Sequence, residues 1–218
     1  MLKDLINQLN RCMQATDSEG RLQLKGRWQA ARYIAVDLET NGLQPGHDAI
    51  LAIGWVPIAP PRIRLNEADY GVIKSSQPLS QAAVIHQLSE ADVRGGEPIE
   101  NVLRRLALRL DGAVLVAHHA SFDWAFLNHA FTKYSIPCRP LALMDTLRIE
   151  RKRLARKKNW LNRGELTLAA CRERYGLPAM RQHHALSDAI ACAEVFLAQA
   201  YQIVGTHQVT LRQLLRYA

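Results

Sequence analysis

Two acids two residues apart, Asp37 and Glu39, close the apolar run Tyr33-Ile34-Ala35-Val36 just before the polar turn Thr40-Asn41-Gly42. Apolar β-formers ending in such a turn predict a buried strand that runs into a loop. Strand side chains alternate faces, so residues two apart project the same way. Two carboxylates so placed repel one another and resist ionising together. A divalent cation relieves the repulsion, and oxygen ligands suit Mg²⁺ or Mn²⁺. Alone, a D-x-E pair is short and common and reads better as a strand end with two solvated acids. Three further residues weigh against that. Asp123 stands where an apolar run hands over to a helical pattern. Asp188 falls in the first turn of a long Ala-rich helix, and His183 precedes it by five residues in a loop. Ligands collect beyond strand ends in α/β sheets. Three separate segments can therefore bring acids to one place, with a histidine beside them.

The elements that must position these residues follow from the pattern of apolar residues. After the strand ending at Asp37 come the runs 49–56 and 69–73, with Pro57, Pro60 and Pro61 between them. Three strands joined by turns predict an antiparallel meander. A short helix is expected within 80–92, and Pro98 opens a strongly periodic one over Ile99, Val102, Leu103, Leu106 and Leu110. The run 113–117 predicts a central strand and 122–134 a helix. Residues 141–144 predict a fifth strand, 165–174 a helix, 176–184 a loop, 185–203 the long helix, and 209–217 a last short element. Strands first and strand–helix alternation afterwards give an α/β fold with a mixed five-stranded sheet flanked by helices. Asp145, before Thr146 and a helix, reads as an N-cap rather than a ligand. His118 reads as structural, and Phe122, Cys171 and Cys192 as core.

The chain has 218 residues and 24.5 kDa, which suits one domain with some extra. Its organisation is expected to be a helical extension over 1–31, a main domain over 32–204 and a packed tail over 205–218. No apolar run is long enough to span a bilayer. The start of the chain lacks a signal-peptide pattern. Four scattered cysteines without a C-x-x-C pair fit a reducing compartment, so a cytoplasmic location and no membrane partner are expected. Of the net charge of +8, +7 falls between Arg148 and Arg163, where eight basic residues face the single acid Glu150. A polyanion docking at one place accounts for this better than general basicity. Lys152, Arg156, Lys157 and Lys158 are the expected backbone-holding residues; a solvated helix face is the bland alternative.

Three segments together carry a family resemblance: Val36-Asp37-Leu38-Glu39-Thr40-Asn41-Gly42-Leu43, Ala117-His118-His119-Ala120-Ser121-Phe122-Asp123, and His183-His184-Ala185-Leu186-Ser187-Asp188-Ala189. In this order and at these separations they resemble the DEDDh 3′→5′ exonucleases, the DnaQ-like family of proofreading epsilon subunits with a ribonuclease H-like fold. The resemblance covers about residues 31 to 203. It implies that Asp37, Glu39, Asp123 and Asp188 bind two divalent ions, Mg²⁺ or Mn²⁺, and that His183 is the general base. The family spacing H-x-A-x-x-D selects His183; His184 is one residue short. Thr40 and Leu43 match positions that contact the terminal nucleotide. His119 stands where many relatives carry Asn.

The physics agrees with this assignment. Two metals a few ångströms apart can stabilise the attacking and leaving oxygens of a phosphodiester together. A histidine can take the proton from the attacking water. The expected activity is removal of nucleoside monophosphates from single-stranded or frayed 3′ ends, with DNA favoured. The alternatives are an exoribonuclease, or a non-catalytic or polymerase-associated nucleic-acid-binding module on the same fold. A DNA polymerase or another protein is a candidate partner through the N-terminal extension.

Overall fold

The computed structural model describes residues 18–75, 88–157, 160–162, 164–180, 183–205 and 207–218. The apolar spacing of Leu2, Leu5, Ile6 and Leu9, most of the helix expected within 80–92, and Lys158 lie outside the described residues.

The described chain opens with helix α1 (Ser18–Lys25) and a 3-10 turn, Trp28–Ala30. Strand β1 (Tyr33–Thr40) pairs antiparallel with β2 (Ile50–Ala59), setting Asp37 opposite Gly54 and Glu39 opposite Ala52. Two strands cover the far edge of β2. The two-residue β3 (Arg62–Ile63) pairs with its end, and β4 (Asp69–Val72) with its first half. Helices α2 (Glu90–Arg94) and α3 (Ile99–Leu110) follow. Strand β5 (Val114–Ala117) then runs parallel to β1. After helix α4 (Ala120–Lys133), strand β6 (Ala142–Asp145) runs parallel to β5. Helices α5 (Thr146–Ala155), α6 (Leu168–Arg174), α7 (Ala185–Val204) and α8 (Leu211–Leu214) complete the chain. The sheet is thus mixed, with its early strands antiparallel and its later ones parallel. Among the described residues it has six strands where five are read from the sequence. The added one, β3, is too short to give a periodic signal, because a turn at Pro60 and Pro61 precedes it and a 3-10 turn, Leu65–Glu67, follows.

Alternation along β1 sorts the core into two layers. Ile34, Val36 and Leu38 pack with Val102, Leu103 and Leu106 of α3 and Leu127 and Phe131 of α4. Tyr33 and Ala35 face the other way, towards Cys192, Phe196 and Ala200 of α7, with Trp28, Leu211 and Leu214 closing that layer. Trp28 is fully buried, and its N–H donates to the carbonyl of Val209, so residues 26–30 and the C-terminal segment pack together on the domain. By the same alternation Asp37 and Glu39 continue the α7 face.

Two features of sequence let α7 come close to that face. Ala185, Ala189 and Ala193, four apart on the helix, are fully buried. Opposite them is Gly54, the cross-strand partner of Asp37, where an added Cβ would overlap the backbone of Ala185 and Leu186. Gly54→Ala is therefore expected to push the first turn of α7 off β2. It should lower the melting temperature and shrink the further rise that Mn²⁺ gives, measured by calorimetry with and without the ion.

Candidate active site

The first turn of α7 delivers Asp188 to the carboxylates at the end of β1. One oxygen from each of Asp37, Glu39 and Asp188 lies within 4.8 Å of the other two. Asp123 comes from the first turn of α4. Strand β1 outruns its pairing with β5, which ends at Ala35, and beyond that point the backbone N–H of Leu38 favours the ionised form of Asp123. Burial, then the charges of Asp123, Glu39 and Asp188, hold the Asp37 carboxyl well above the usual carboxylate range. Burial pushes Asp123 up to about 8, with Asp145 and Glu39 adding to the rise and backbone N–H groups opposing it. Asp188 is raised by burial and by Glu39, against the hydrogen bond it accepts from the His183 N–H. Converging carboxylates that disfavour one another's ionised forms, all oxygen donors, are the chemistry that a hard divalent cation fits.

The two histidines before α7 have different surroundings. His184 is the N-cap: its Nδ1 accepts from the N–H of Ser187 at 3.5 Å, and its ring stacks on Tyr70, centroids 4.6 Å apart. His183 is exposed and left-handed (φ 64°), and its N–H donates to Asp188 Oδ2 at 2.8 Å. The loop before it is anchored by buried Arg172, which donates to the Pro178 carbonyl through Nε and Nη2 and pairs with Glu194. His119, the N-cap of α4, is also left-handed (φ 102°); its N–H donates to Asp145 Oδ1 and its ring stacks on Phe122. His118 is clamped between Thr146 Oγ1 and the Leu166 carbonyl, and burial lowers its pKa. Asp145 caps α5 by accepting from the N–H groups of Leu147 and Arg148.

Thr40 is buried at the end of β1 and its hydroxyl donates to the Gly42 carbonyl. Leu43 is 79% exposed on the following loop, which hydrogen bonds from Gln44 to Asp48 and from Ala49 to Asn41 hold closed. The described residues of the basic stretch are not brought together with the carboxylates as one patch. Helix α5 divides it among its faces. Lys152 Nζ donates to the carbonyls of Arg216 and Ala218, and the Arg156 guanidinium lies over the Tyr217 ring. Lys157 is exposed beyond the helix end. Arg153 turns inward to buried Glu150, which Arg174, Tyr175 and Gln199 also bond. Arg151 instead lines a depression of about 730 Å³ with His118, His119, Asn162, Gly164 and Thr167.

Sequence reasoning missed Gly54, Tyr70, Arg151 and Arg172. Burial, and then the charge of Glu39, raises the pKa of Tyr70. Only strand pairing reveals that neighbourhood. Arg151 was legible as one cation of a run; what sets it apart is its face of α5.

Removing one of the mutually repelling acids relieves strain in the metal-free protein. Asp37→Ala should abolish hydrolysis while leaving the metal-free melting temperature unchanged or raised, and should reduce the stabilisation by Mn²⁺. Wild-type activity in a folded Asp37→Ala chain would overturn the assignment.

Comparison with known proteins bears on this site. The family model RNase_T, described as exonuclease, matches residues 34–196. The DNA polymerase III PolC-type of Thermotoga petrophila is 30% identical over 177 residues, 81% of this chain but 12% of that protein. Its counterpart in Thermotoga maritima is 32% identical over 168 residues, again 12% of its length. The chain thus spans about an eighth of the curated relatives it matches. Among solved structures, exonuclease X in complex with 5′ overhanging duplex DNA aligns with a TM-score of 0.59 and 25% identity, covering 84% of this chain and 98% of that one. E. coli exonuclease I in complex with a dT13 oligonucleotide shares the fold, with a TM-score of 0.66 at 16% identity over 86% of this chain and 43% of that one.

Proposed function

The chain belongs to the RNase T-type exonuclease family, and from that premise we propose that it is a metal-dependent 3′→5′ exonuclease acting on single-stranded or frayed DNA. The observation that carries the reading is the convergence of Asp37, Glu39 and Asp188 from β1 and α7, with Asp123 beside them. These four acids would hold two divalent ions, Mg²⁺ or Mn²⁺. Bound there, the ions supply charge stabilisation to the attacking and leaving oxygens of a phosphodiester. His183, exposed and tied through its backbone to Asp188, takes the proton from the attacking water. His184 holds the helix start and the Tyr70 ring, a positioning role. Thr40 and Leu43 contact the terminal nucleotide, Leu43 by packing its exposed side chain on the base. His119 and Arg151 border the path of the strand, Arg151 on a phosphate, which positions without reading sequence. The preference for DNA is supported by the kinds of protein the chain is similar to: DNA polymerases of the PolC type, and exonucleases seen with DNA.

Matched DNA and RNA strands carrying 5′ or 3′ labels, digested in Mg²⁺ and in Mn²⁺, test the reading. Mononucleotides released first from 3′-labelled DNA are expected; release from the 5′ end, or faster loss of RNA, would refute polarity or sugar preference respectively. His183→Ala should slow hydrolysis by about 10² to 10⁴, the usual span for a general base, and His184→Ala much less. If His184→Ala is the more damaging, the base is misassigned. Arg151→Ala should reduce the slope of log affinity against log salt for a single strand by about 1, as loss of one phosphate contact does. That slope is measured in Ca²⁺ to block cleavage.

A further inference from the structure

A second cavity lies outside the acid cluster, where the C-terminal half of α5 meets the end of α7 and the chain's last residues. Its volume is about 400 Å³, and Lys152, Arg156 and Arg216 stand around an apolar floor that includes Ile203, Val209 and Leu214. The volume is at the small end for ligand pockets, enough for an apolar side chain or two. The residues around it include no acidic side chain. Residues 151–164 and 195–218 contain no Asp or Glu. The nearest acids in sequence are engaged elsewhere, Glu150 by Arg153 and Arg174, Glu165 by Asn162 and Glu194 by Arg172. Lys152 donates to the main-chain oxygens of Arg216 and Ala218, which tie it to the last turn of the chain. Burial and the neighbouring charges of Arg148 and Arg156 disfavour the Lys152 charge, so an incoming carboxylate would relieve cation–cation repulsion.

We propose that this cavity docks an acidic peptide segment of a partner protein, seating an apolar side chain on the floor while its carboxylates meet Lys152, Arg156 and Arg216. Charge complementarity selects an anionic occupant, and the apolar floor selects a peptide over a nucleic-acid strand. A sugar–phosphate backbone has no group to fill an aliphatic floor. The aromatic ring on the rim, Tyr217, already has one face under Arg156 and so is a poor platform for stacked bases. The partner would be held away from the carboxylates, because α5 begins beside Asp145 and reaches this cavity only in its last turns.

The test uses the full chain and a fluorescein-labelled peptide of alternating glutamate and leucine, followed by anisotropy. Saturable binding is expected, lost when glutamines replace the glutamates and also when serines replace the leucines. Arg156→Glu combined with Arg216→Glu should weaken it by ~10-fold or more, since both are charges at the contact. Arg216→Glu alone, exposed and remote from the acid cluster, should leave hydrolysis of a dinucleotide unchanged, which shows that the chain is folded. Absence of peptide binding, equal binding by the double variant, or equal binding of the serine peptide would overturn the proposal. So would a dT12 strand in Ca²⁺ that displaces the peptide and loses the same factor in the double variant, because the surface would then hold nucleic acid. Self-association of the wild-type chain that Arg216→Glu abolishes would assign the cavity to a second copy and also refute it.

Discussion

Mutual repulsion among buried carboxylates is the constraint around which this fold is arranged. Asp37 and Asp123 both hold a proton more readily than an acid in water, by burial first and then by neighbouring carboxylates, Asp123, Glu39 and Asp188 around Asp37 and Asp145 and Glu39 around Asp123. An isolated set of such groups would move apart. Here they are held by elements whose own stability comes from elsewhere. Strand β1 is paired on both sides at its start and buried on both faces. Helix α7 is locked by Cys192 and Phe196 against the same sheet. Hydrophobic packing of the sheet and α7 thus keeps acids at a separation their charges oppose, an opposition that a cation held there would offset.

Much of this was legible in the sequence, because the signals are local. Alternation in Tyr33 to Glu39 places Asp37 and Glu39 on one face, and the two-layer core shows which face that is. The apolar run before Asp123 and the Ala-rich run after His184 place the other acids at element starts, where the structure has them. The N-cap role of Asp145 follows from its place before Thr146. What could not be read depends on neighbours far apart in the chain. Nothing around Gly54 announces that Ala185 and Leu186 lie against it. Arg172 sits in a helix of ordinary composition, and its worth lies in the Pro178 carbonyl and Glu194.

The basic stretch shows the same limit from the other side. Read along the chain, Arg148 to Arg163 is one block of charge. A helix turns its residues by about 100° each, so adjacency in sequence becomes divergence in space. Arg153 is drawn inward by Glu150, Lys152 and Arg156 one turn apart meet the C-terminal segment, and Arg151 faces the depression beside His119. Counting charge in a window located the helix but could not say which of its faces meets which partner.

Backbone strain is distributed just as unevenly. Among the described residues, the non-glycine positions with positive φ are His119, Ser135 and His183. Two of these three flank the acid cluster. Left-handed backbone is costly for a side chain as large as histidine, and it persists only where surrounding contacts over-determine it. At His119 these are the hydrogen bond to Asp145 and the stack on Phe122; at His183 it is the bond to Asp188. In both cases an acid at or beside the cluster accepts the strained residue's own N–H. The strain and the carboxylates therefore hold each other in place. The left-handed turn at His183 separates its side chain from that of His184, leaving one exposed beside Asp188 and the other stacked on Tyr70. Two adjacent histidines of identical chemistry thereby acquire different surroundings from one backbone angle.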